Sequence, residues 1–194
     1  MEEEIKKIEE YAIKNNIPIM QKDGIEFLLK YIKENKVKKI LEIGTAIGYS
    51  SIRMALLDED IFITTIERDE ERYIEAKNNI NKFNLQNRIN LIFKDALEVE
   101  LNDKYDLIFI DAAKAQNIKF FEKYKSNLEK NGTIITDNMY FHGLIFKEGK
   151  EIDSRNLRQL MRKLKNYHIF LKENKEFNTT FIDLGDGIAI SKKN

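Results

Sequence analysis

Two aspartates, an asparagine and a lysine carry the strongest chemical signal in this sequence. Asp111 ends a short apolar run, and Lys114 follows it by three residues. Asp137 and Asn138 end another apolar run further along the chain. Carboxylate and amide oxygens are hard donors that suit Mg²⁺, with Ca²⁺ and Mn²⁺ as alternatives. The spacing therefore predicts a divalent-cation site with an amine beside it.

These residues also have simpler explanations. An Asp-Asn pair often opens a turn, and in a lysine-rich chain a single lysine is usually a solvated surface residue. A turn does not explain why two strands both end in acids, because neighbouring carboxylates repel each other unless a cation lies between them. Beside a cation, the neutral form of the Lys114 amine is favoured, so this side chain is a candidate general base.

The elements that position these residues follow from the hydrophobic pattern. Short apolar runs cover 38–44, 61–67, 89–95, 105–111 and 132–138, and helical patterns lie near 48–57, 69–82 and 115–129. This strict alternation predicts an α/β fold, with a mostly parallel sheet and helices on both faces. In such a sheet, ligands bind beyond the carboxyl ends of the strands. The residues expected there are Gly44, Glu67, Asp111 and Asp137.

The two ends of the chain depart from that alternation. Amphipathic helices are predicted over 2–16 and 25–36, with a break at Pro18 between them. Near the other end, a basic helix over 154–166 precedes two strands around the sequence Gly185-Asp186-Gly187. Glycines in that turn favour a tight antiparallel hairpin, so we expect one antiparallel strand near the C-terminus.

Composition narrows the class of protein. The 194 residues favour one domain, and 33 basic against 33 acidic residues give no overall attraction to nucleic acid. The absence of cysteine leaves only oxygen and nitrogen ligands for a metal. The charged opening is unlike a signal peptide, and no apolar run is long enough to cross a bilayer, so we expect a cytoplasmic protein without a membrane partner.

Four residues are candidates for binding a nucleotide. Gly44 and Gly48 lie in a strand-to-helix loop, although their G-x-x-x-G spacing differs from the dinucleotide fingerprint and, taken alone, favours an ordinary turn. Glu67 ends a strand where an acid can accept hydrogen bonds from ribose hydroxyls, while Asp69 is better placed to cap the next helix. Asp95 is suited either to an adenine amino group or to a helix cap.

Together these segments resemble the cation-dependent class I O-methyltransferases that use S-adenosylmethionine, the family of catechol and caffeoyl-CoA O-methyltransferases. The segments that carry the resemblance are LEIGTAIGYSSIRMA, ITTIERDEERYIEAKNNI, YDLIFIDAAK and GTIITDNMYFHG, in family order. The resemblance implies a Rossmann-like seven-stranded sheet, mostly parallel with a reversed last strand. It also implies one methyltransferase domain over 1–194, with an N-terminal helical lid or dimer segment (1–36) before the core (37–194).

The resemblance assigns a role to each site residue. Those implied to bind S-adenosylmethionine are Met20, Gly44, Gly48, Ser50, Glu67, Asp95, Ala96 and Asp111. Those implied to hold Mg²⁺ or another divalent cation are Asp111, Asp137 and Asn138. Lys114 matches the family base, which would remove a proton from a cation-bound hydroxyl before its oxygen attacks the methyl group.

The acceptor is less tightly specified. IPIM, DAAKAQ and DNMYFHGLI are most similar to the bacterial branch that includes the tRNA 5-hydroxyuridine methyltransferase. That similarity predicts methylation of the 5-hydroxyl of 5-hydroxyuridine at the tRNA wobble position, giving 5-methoxyuridine. A cation with two open positions accepts any two oxygens on adjacent carbons, so a small catechol or phenol is the alternative. A nucleotide-binding module without catalysis is a third possibility.

Residues outside the core motifs bear on the same choice. His142 stands where we expect an arginine in the tRNA branch, and a substrate contact is its expected role. A basic patch could contact phosphates or could be an ordinary solvated helix face. Its members are Lys147, Lys150, Arg155, Arg158, Arg162, Lys163 and Lys165. The family resemblance further implies a homodimer.

Overall fold

The computed structural model describes residues 1–147 and 151–194, which form a single seven-stranded sheet with α-helices around it. The strands are β1 (Lys39–Ile43), β2 (Phe62–Glu67), β3 (Ile89–Phe93), β4 (Tyr105–Ile110), β5 (Leu128–Thr136), β6 (Phe177–Ile182) and β7 (Ile188–Lys193). The α-helices are α1 (Glu2–Lys14), α2 (Lys22–Glu34), α3 (Tyr49–Ala55), α4 (Glu70–Lys82), α5 (Asn117–Tyr124) and α6 (Arg155–Glu173).

The sheet has the predicted topology. Its strand order is β3-β2-β1-β4-β5-β7-β6, with parallel pairing from β3 to β5. Strand β7 runs antiparallel to both of its neighbours, β5 and β6. The prediction of a mostly parallel, Rossmann-like sheet with one antiparallel strand near the C-terminus is confirmed.

The register of the central strands sets the site. Ile43 pairs with Ile110, and Ile110 pairs with Thr136. Asp111 and Asp137 each directly follow one of these paired residues, so the two acids leave the sheet side by side. Strands β1, β4 and β5 therefore deliver their polar ends to one short stretch of the carboxyl edge, as expected for a parallel sheet.

The core occupies both faces of the sheet because successive strand residues point in opposite directions. On one face, Ile40, Leu107 and Phe109 pack with the buried residues of α1, α2 and α3. On the other, Ile108 and Ile110 pack with buried residues of α5 and α6. Burial on both faces explains why the central strands are apolar runs rather than alternating patterns.

The N-terminal helices lie against α3. Tyr49 donates a hydrogen bond to Glu9 over 2.6 Å, and Arg53 pairs with Glu26 at the same distance. Ile8 and Ala12 of α1 are buried in the core on this side. No helix among the described residues is long and apolar enough to span a bilayer.

Three predicted boundaries were wrong. Helix α6 continues to Glu173 rather than ending at 166, because Tyr167 and Leu171 extend its buried stripe at helical spacing. Strand β5 begins at Leu128 rather than at 132, and α5 already ends at Tyr124. The pairing of β5 with β4 is irregular at this end, which hides the strand's start from its sequence pattern.

Candidate active site

A cavity of about 610 Å³ opens at the carboxyl edge of the sheet. It receives side chains from the ends of β1, β2, β3, β4 and β5 and from the segment before α2. Its lining includes Pro18, Ile19, Gln21, Gly44, Ala46, Glu67, Arg68, Arg72, Lys94, Asp95, Ala96, Asp111, Lys114, Gln116, Asn138, Phe141 and His142. Most of the predicted site residues thus meet around one space of the size that a nucleotide-sized ligand needs.

The glycine loop brings two strand ends together. Gly44 has φ +99°, and a Cβ at this position would lie 2.5 Å from the carbonyl oxygen of Asp111. Gly48 has φ +84° and precedes α3. The first glycine is therefore required by the close approach of β1 to β4, which fixes the floor of the cavity beside Asp111.

Glu67 is held by the backbone at the end of β2. Its Oε2 accepts a hydrogen bond from the Ala46 amide over 2.8 Å, and its Oε1 accepts from Arg68 and Asp69 over 2.8 and 2.9 Å. Two carboxylate oxygens offer about four lone-pair directions, so three amides leave room for a donor from the cavity. This arrangement suits a carboxylate that receives a ribose hydroxyl.

A buried acid below the loop was not anticipated from the sequence. Glu42 lies within β1 and accepts hydrogen bonds from the hydroxyls of Ser50, Ser51 and Thr65. Burial raises the pKa of Glu42 to about 7, although the three hydroxyls act in the opposite direction. An acid in the middle of an apolar strand was the available signal, since such a residue must find buried partners.

Three residues expected at S-adenosylmethionine, Met20, Gly48 and Ser50, do not line the cavity. The Ser50 hydroxyl points to Glu42, and Ser50 is not among the described residues that line the cavity. Met20 is buried in the core, where its methyl carbon packs over Gly24 of α2. The neighbours of Met20, Ile19 and Gln21, face the cavity instead.

Asp95 takes the helix-capping role that was considered for it, and its carboxylate still lines the cavity. One oxygen caps a short 3₁₀ helix by accepting from Leu97 over 2.9 Å, and the other pairs with Arg68 at 3.2 Å. The Leu97 amide, and then Arg68, lower the pKa of Asp95. Asp95 and Ala96 both line the cavity at the end of β3, on the same side as Glu67. The cap fixes the carboxylate without removing it from the cavity.

The predicted cation ligands converge. The Asn138 side-chain amide nitrogen lies 3.2 Å from Asp111 Oδ1 and 3.1 Å from Asp137 Oδ2. Lys114 Nζ lies 3.0 Å from the same Asp111 oxygen. Asp137 is only 4% exposed, and its burial, followed by the Asp111 charge, raises the pKa of Asp137 to about 7. A cation could take the place of the amide group that now bridges these two carboxylates.

The donor set fits a hard divalent ion. Among the described residues there is no cluster of three or more His, Asp or Glu side chains that could hold a metal, so the candidate set is two carboxylates and one amide. Turning the Asn138 amide about its terminal bond exchanges nitrogen for oxygen and gives three oxygen donors. Three protein oxygens with open positions for water or substrate are typical of Mg²⁺.

A loop after β5 forms the opposite wall. Phe141 and His142 both line the cavity, and the His142 side chain is 71% exposed. Backbone φ is positive at Asn138, Phe141, His142 and Gly143. The loop therefore has an unusual backbone course, and it places an aromatic ring and an imidazole on the same cavity as Asp111 and Asn138.

Comparison with known proteins identifies the chain. The family model described as O-methyltransferase matches residues 1–194. This chain belongs to the O-methyltransferase family. The predicted S-adenosylmethionine-dependent O-methyltransferase of the caffeoyl-CoA and catechol type is thereby confirmed, and a module without catalysis is disfavoured.

Individual relatives agree with this assignment. The chain is 42% identical to a candidate caffeoyl-CoA O-methyltransferase from Staphylococcus aureus, with a TM-score of 0.94 over 98% of this chain and 92% of that one. It is 27% identical to a caffeoyl-CoA O-methyltransferase from Populus kitakamiensis, over 98% of this chain and 86% of the relative. A catechol O-methyltransferase from Niastella koreensis is also 27% identical, over 80% and 73% of the two chains.

Proposed function

We propose that this O-methyltransferase is cation-dependent and methylates a hydroxyl that has a second oxygen on the adjacent carbon. The observation that carries the proposal is the meeting at Asp111 Oδ1 of the Lys114 amine and the Asn138 amide, at 3.0 and 3.2 Å. A base and a set of oxygen donors thus share one carboxylate. A hydroxyl bound by the cation would lie within reach of Lys114.

The methyl donor would occupy the side of the cavity near β1, β2 and β3. Glu67 would accept from the ribose, and Asp95 with Ala96 would contact the adenine. Gly44 permits close approach of a ligand, because it has no side chain where the backbone of Asp111 limits the space. S-adenosylmethionine supplies an electrophilic methyl group, and the protein residues orient it toward the acceptor.

The cation would be held by Asp111, Asp137 and Asn138. A divalent ion there supplies Lewis acidity that makes an acceptor hydroxyl more acidic. Lys114, whose side chain is 12% exposed, would take the hydroxyl proton as general base. The apolar wall around Phe120 and Phe141 would limit the access of water to the acceptor oxygen.

For the acceptor we favour 5-hydroxyuridine in tRNA, because a basic helix borders the acceptor side of the cavity. Helix α6 contacts the turn that contains Lys114 and also the turn Leu144–Phe146. Arg155 and Arg162 are seven residues apart, so they lie on the same side of α6, opposite its buried stripe. An exposed cationic ridge on a helix that contacts the Lys114 turn suits the phosphates of a nucleic acid.

The placement of Arg155 in the first turn of α6 is unfavourable for the helix itself. The first turn of α6 has no acidic residue, although the positive end of a helix dipole favours acids there. Arg158 is partly used by the preceding loop, since it donates to the carbonyls of Ile152 and Asp153. Arg155, Arg162 and Lys163 have no ion pair with any described residue. Lys150, another member of the predicted patch, lies outside the described residues.

A small catechol or phenol is the second candidate. The curated relatives act, by their names, on caffeoyl-CoA, flavonoids or catechol. A catechol offers the same two adjacent oxygens that 5-hydroxyuridine presents, so the metal chemistry accepts both. The homodimer, the lid role of residues 1–36 and the cytoplasmic location stay predictions.

The substrate is tested by offering both acceptors to the same preparation. Purified protein with labelled S-adenosylmethionine and Mg²⁺ is given tRNA bearing 5-hydroxyuridine or, separately, a catechol. We expect 5-methoxyuridine in the digested tRNA and a much lower kcat/KM for the catechol. Transfer to catechol with none to the tRNA would contradict the tRNA assignment and leave a small-molecule methyltransferase.

A further inference from the structure

The turn between β6 and β7 is hydrogen-bonded to the 139–143 loop, which forms one wall of the cavity. Gly187 accepts a hydrogen bond from the Met139 amide over 3.0 Å, and the Asp186 carbonyl accepts from Tyr140 over 2.8 Å. The Asp186 side chain then accepts from the His142 amide through Oδ1. Three hydrogen bonds thus connect residues 139–142 to a turn more than forty positions away in the sequence.

The backbone of the 139–143 loop is in an unfavourable conformation. Phe141, His142 and Gly143 have φ values of +47°, +55° and +75° in succession. Residues other than glycine are disfavoured in this region, and they persist there only when the surroundings hold them. The hydrogen bond from His142 to Asp186 falls in the middle of this run, so it holds the conformation that places Phe141 and His142 on the cavity wall.

The Asp186 carboxylate is buried at a cost to the fold. It is 6% exposed, and its Oδ2 has no hydrogen-bond partner among the described residues. The polar atom that faces Oδ2 is His142 Nδ1, at 3.7 Å. A buried carboxylate oxygen without a partner is unfavourable. A small rotation of the His142 ring would satisfy it.

The neighbouring glycine makes the contact possible. Gly187 has φ +82°, and a Cβ there would lie 2.7 Å from the ring of Tyr140. The turn can therefore approach the loop only without a side chain at this position. The same approach places the Asp186 carboxylate beneath His142.

We propose that Asp186 is a positioning residue for the methyl acceptor, and this proposal rests on the proposed function of the cavity. Through Oδ1 it fixes the backbone of the 139–143 loop, and that backbone places the His142 imidazole on the cavity wall. Asp186 does not itself line the cavity, so it acts through the residues that do. The acceptor, rather than the methyl donor, depends on it.

The test compares Asp186→Leu, Asp186→Asn and the control Asp183→Asn, which alters an exposed acid of the same turn. Leucine removes the acceptor for the His142 amide, and asparagine keeps it. We expect Asp186→Leu to raise the acceptor KM by about 10-fold or more, the effect of losing a hydrogen bond to a charged group, with S-adenosylmethionine affinity unchanged. Asp186→Asn should keep an acceptor KM close to that of the wild type, and Asp183→Asn should match the wild type.

Hydrogen–deuterium exchange gives a readout that does not depend on activity. In Asp186→Leu, the amides of residues 139–143 should exchange faster, while those of β4 stay protected. Gly187→Ala should produce the same local change, which covers the case in which Asp186→Leu does not fold. An unchanged acceptor KM, equal losses for donor and acceptor, or unchanged exchange would each overturn the proposal. If the wild type methylates neither acceptor, the proposed function fails. The exchange result then still tests whether Asp186 holds the 139–143 loop in place.

Discussion

Lys114 Nζ lies 3.0 Å from Oδ1 of Asp111, across the turn that follows β4. The same oxygen is 3.2 Å from the Asn138 amide at the end of β5. The candidate base and the candidate cation ligands are therefore linked through one carboxylate at the edge of the sheet. This relationship explains why the D-x-x-K spacing matters: three residues are enough for the chain to leave the strand and return the amine to the acid.

Replacing Lys114 should stop the chemistry without weakening donor binding. Lys114→Ala removes the base, so kcat should fall by about 10²- to 10⁴-fold. Lys114→Arg keeps the positive charge but cannot accept a proton at neutral pH, so it should be equally impaired. Steady-state rates and S-adenosylmethionine titrations measure both effects, with the exposed Lys119→Ala as control. An active Lys114→Arg enzyme would show that charge alone is needed.

Asp137→Asn should remove the response to divalent cations. A ligand that binds only the folded state raises the unfolding temperature, so Mg²⁺ should stabilise the wild-type protein. The variant loses one of the two carboxylates, and this stabilisation should be absent or much smaller. Thermal unfolding with EDTA and with increasing Mg²⁺ measures it. The exposed Asp103→Asn should respond as the wild type does, and a full Mg²⁺ response in Asp137→Asn would remove this residue from the ligand set.

Glu42 should make the stability of the protein depend on pH. Its pKa is raised from 4.5 to about 7 by burial, so the folded state binds a proton more tightly than the unfolded state does. Its contribution is therefore present below about pH 4.5 and is lost as the pH rises toward 7, by on the order of 3 kcal/mol at most. Denaturant unfolding between pH 4.5 and 8 should show a shallower decline for Glu42→Gln than for the wild type. Equal slopes would argue against a protonated Glu42, and the exposed Glu71→Gln serves as the matched control.

Glu67→Gln should weaken donor binding specifically. All three backbone amides around Glu67 donate hydrogen bonds to its carboxylate. Glutamine would turn its own NH₂ group toward at least one of these donors, so that hydrogen bond would be lost. We expect the Kd for S-adenosylmethionine to rise by about 10-fold, with the Mg²⁺ response unchanged. Isothermal titration of the variant and of the exposed control Glu70→Gln measures the change. An unaltered Kd would exclude the ribose role.

The basic ridge of α6 should matter for tRNA and not for a small acceptor. Changing Arg155, Arg162 and Lys163 together to glutamine should raise the KM for tRNA and leave the rate with catechol unchanged. Each lost phosphate contact should reduce the slope of log affinity against log salt by about 0.7–0.9. A triple substitution of Lys6, Lys14 and Lys30 controls for total charge. Equal effects of the two triple variants would indicate that the ridge is an ordinary solvated surface.

The sequence was most informative at the ends of strands, where polar and glycine residues follow apolar runs. Gly44, Glu67, Asp111 and Asp137 could be placed at one edge because parallel strands point the same way, and their position depends on local pattern alone. Glu42 was missed because its hydroxyl partners only become neighbours once β1, β2 and α3 pack. Asp186 was noticed as part of a turn, but its contact with His142 spans 44 residues, and no local pattern predicts it.

Side-chain direction was the other limit of the sequence. Met20 and Ser50 were expected at S-adenosylmethionine and lie in the right segments. Packing turns the first toward Gly24 and the second toward Glu42. The extent of α6 was underestimated for a similar reason, because a basic first half concealed that the buried stripe continues to Leu171.

We propose that methyl transfer requires a cation held at Asp111, Asp137 and Asn138. The most direct measurement is the yield of 5-methoxyuridine from tRNA bearing 5-hydroxyuridine, with Mg²⁺, with EDTA, and with EDTA followed by excess Mg²⁺. We predict product in the first condition, none in the second and recovery in the third. Undiminished transfer in the presence of EDTA would contradict the claim and would leave Lys114 acting without a metal.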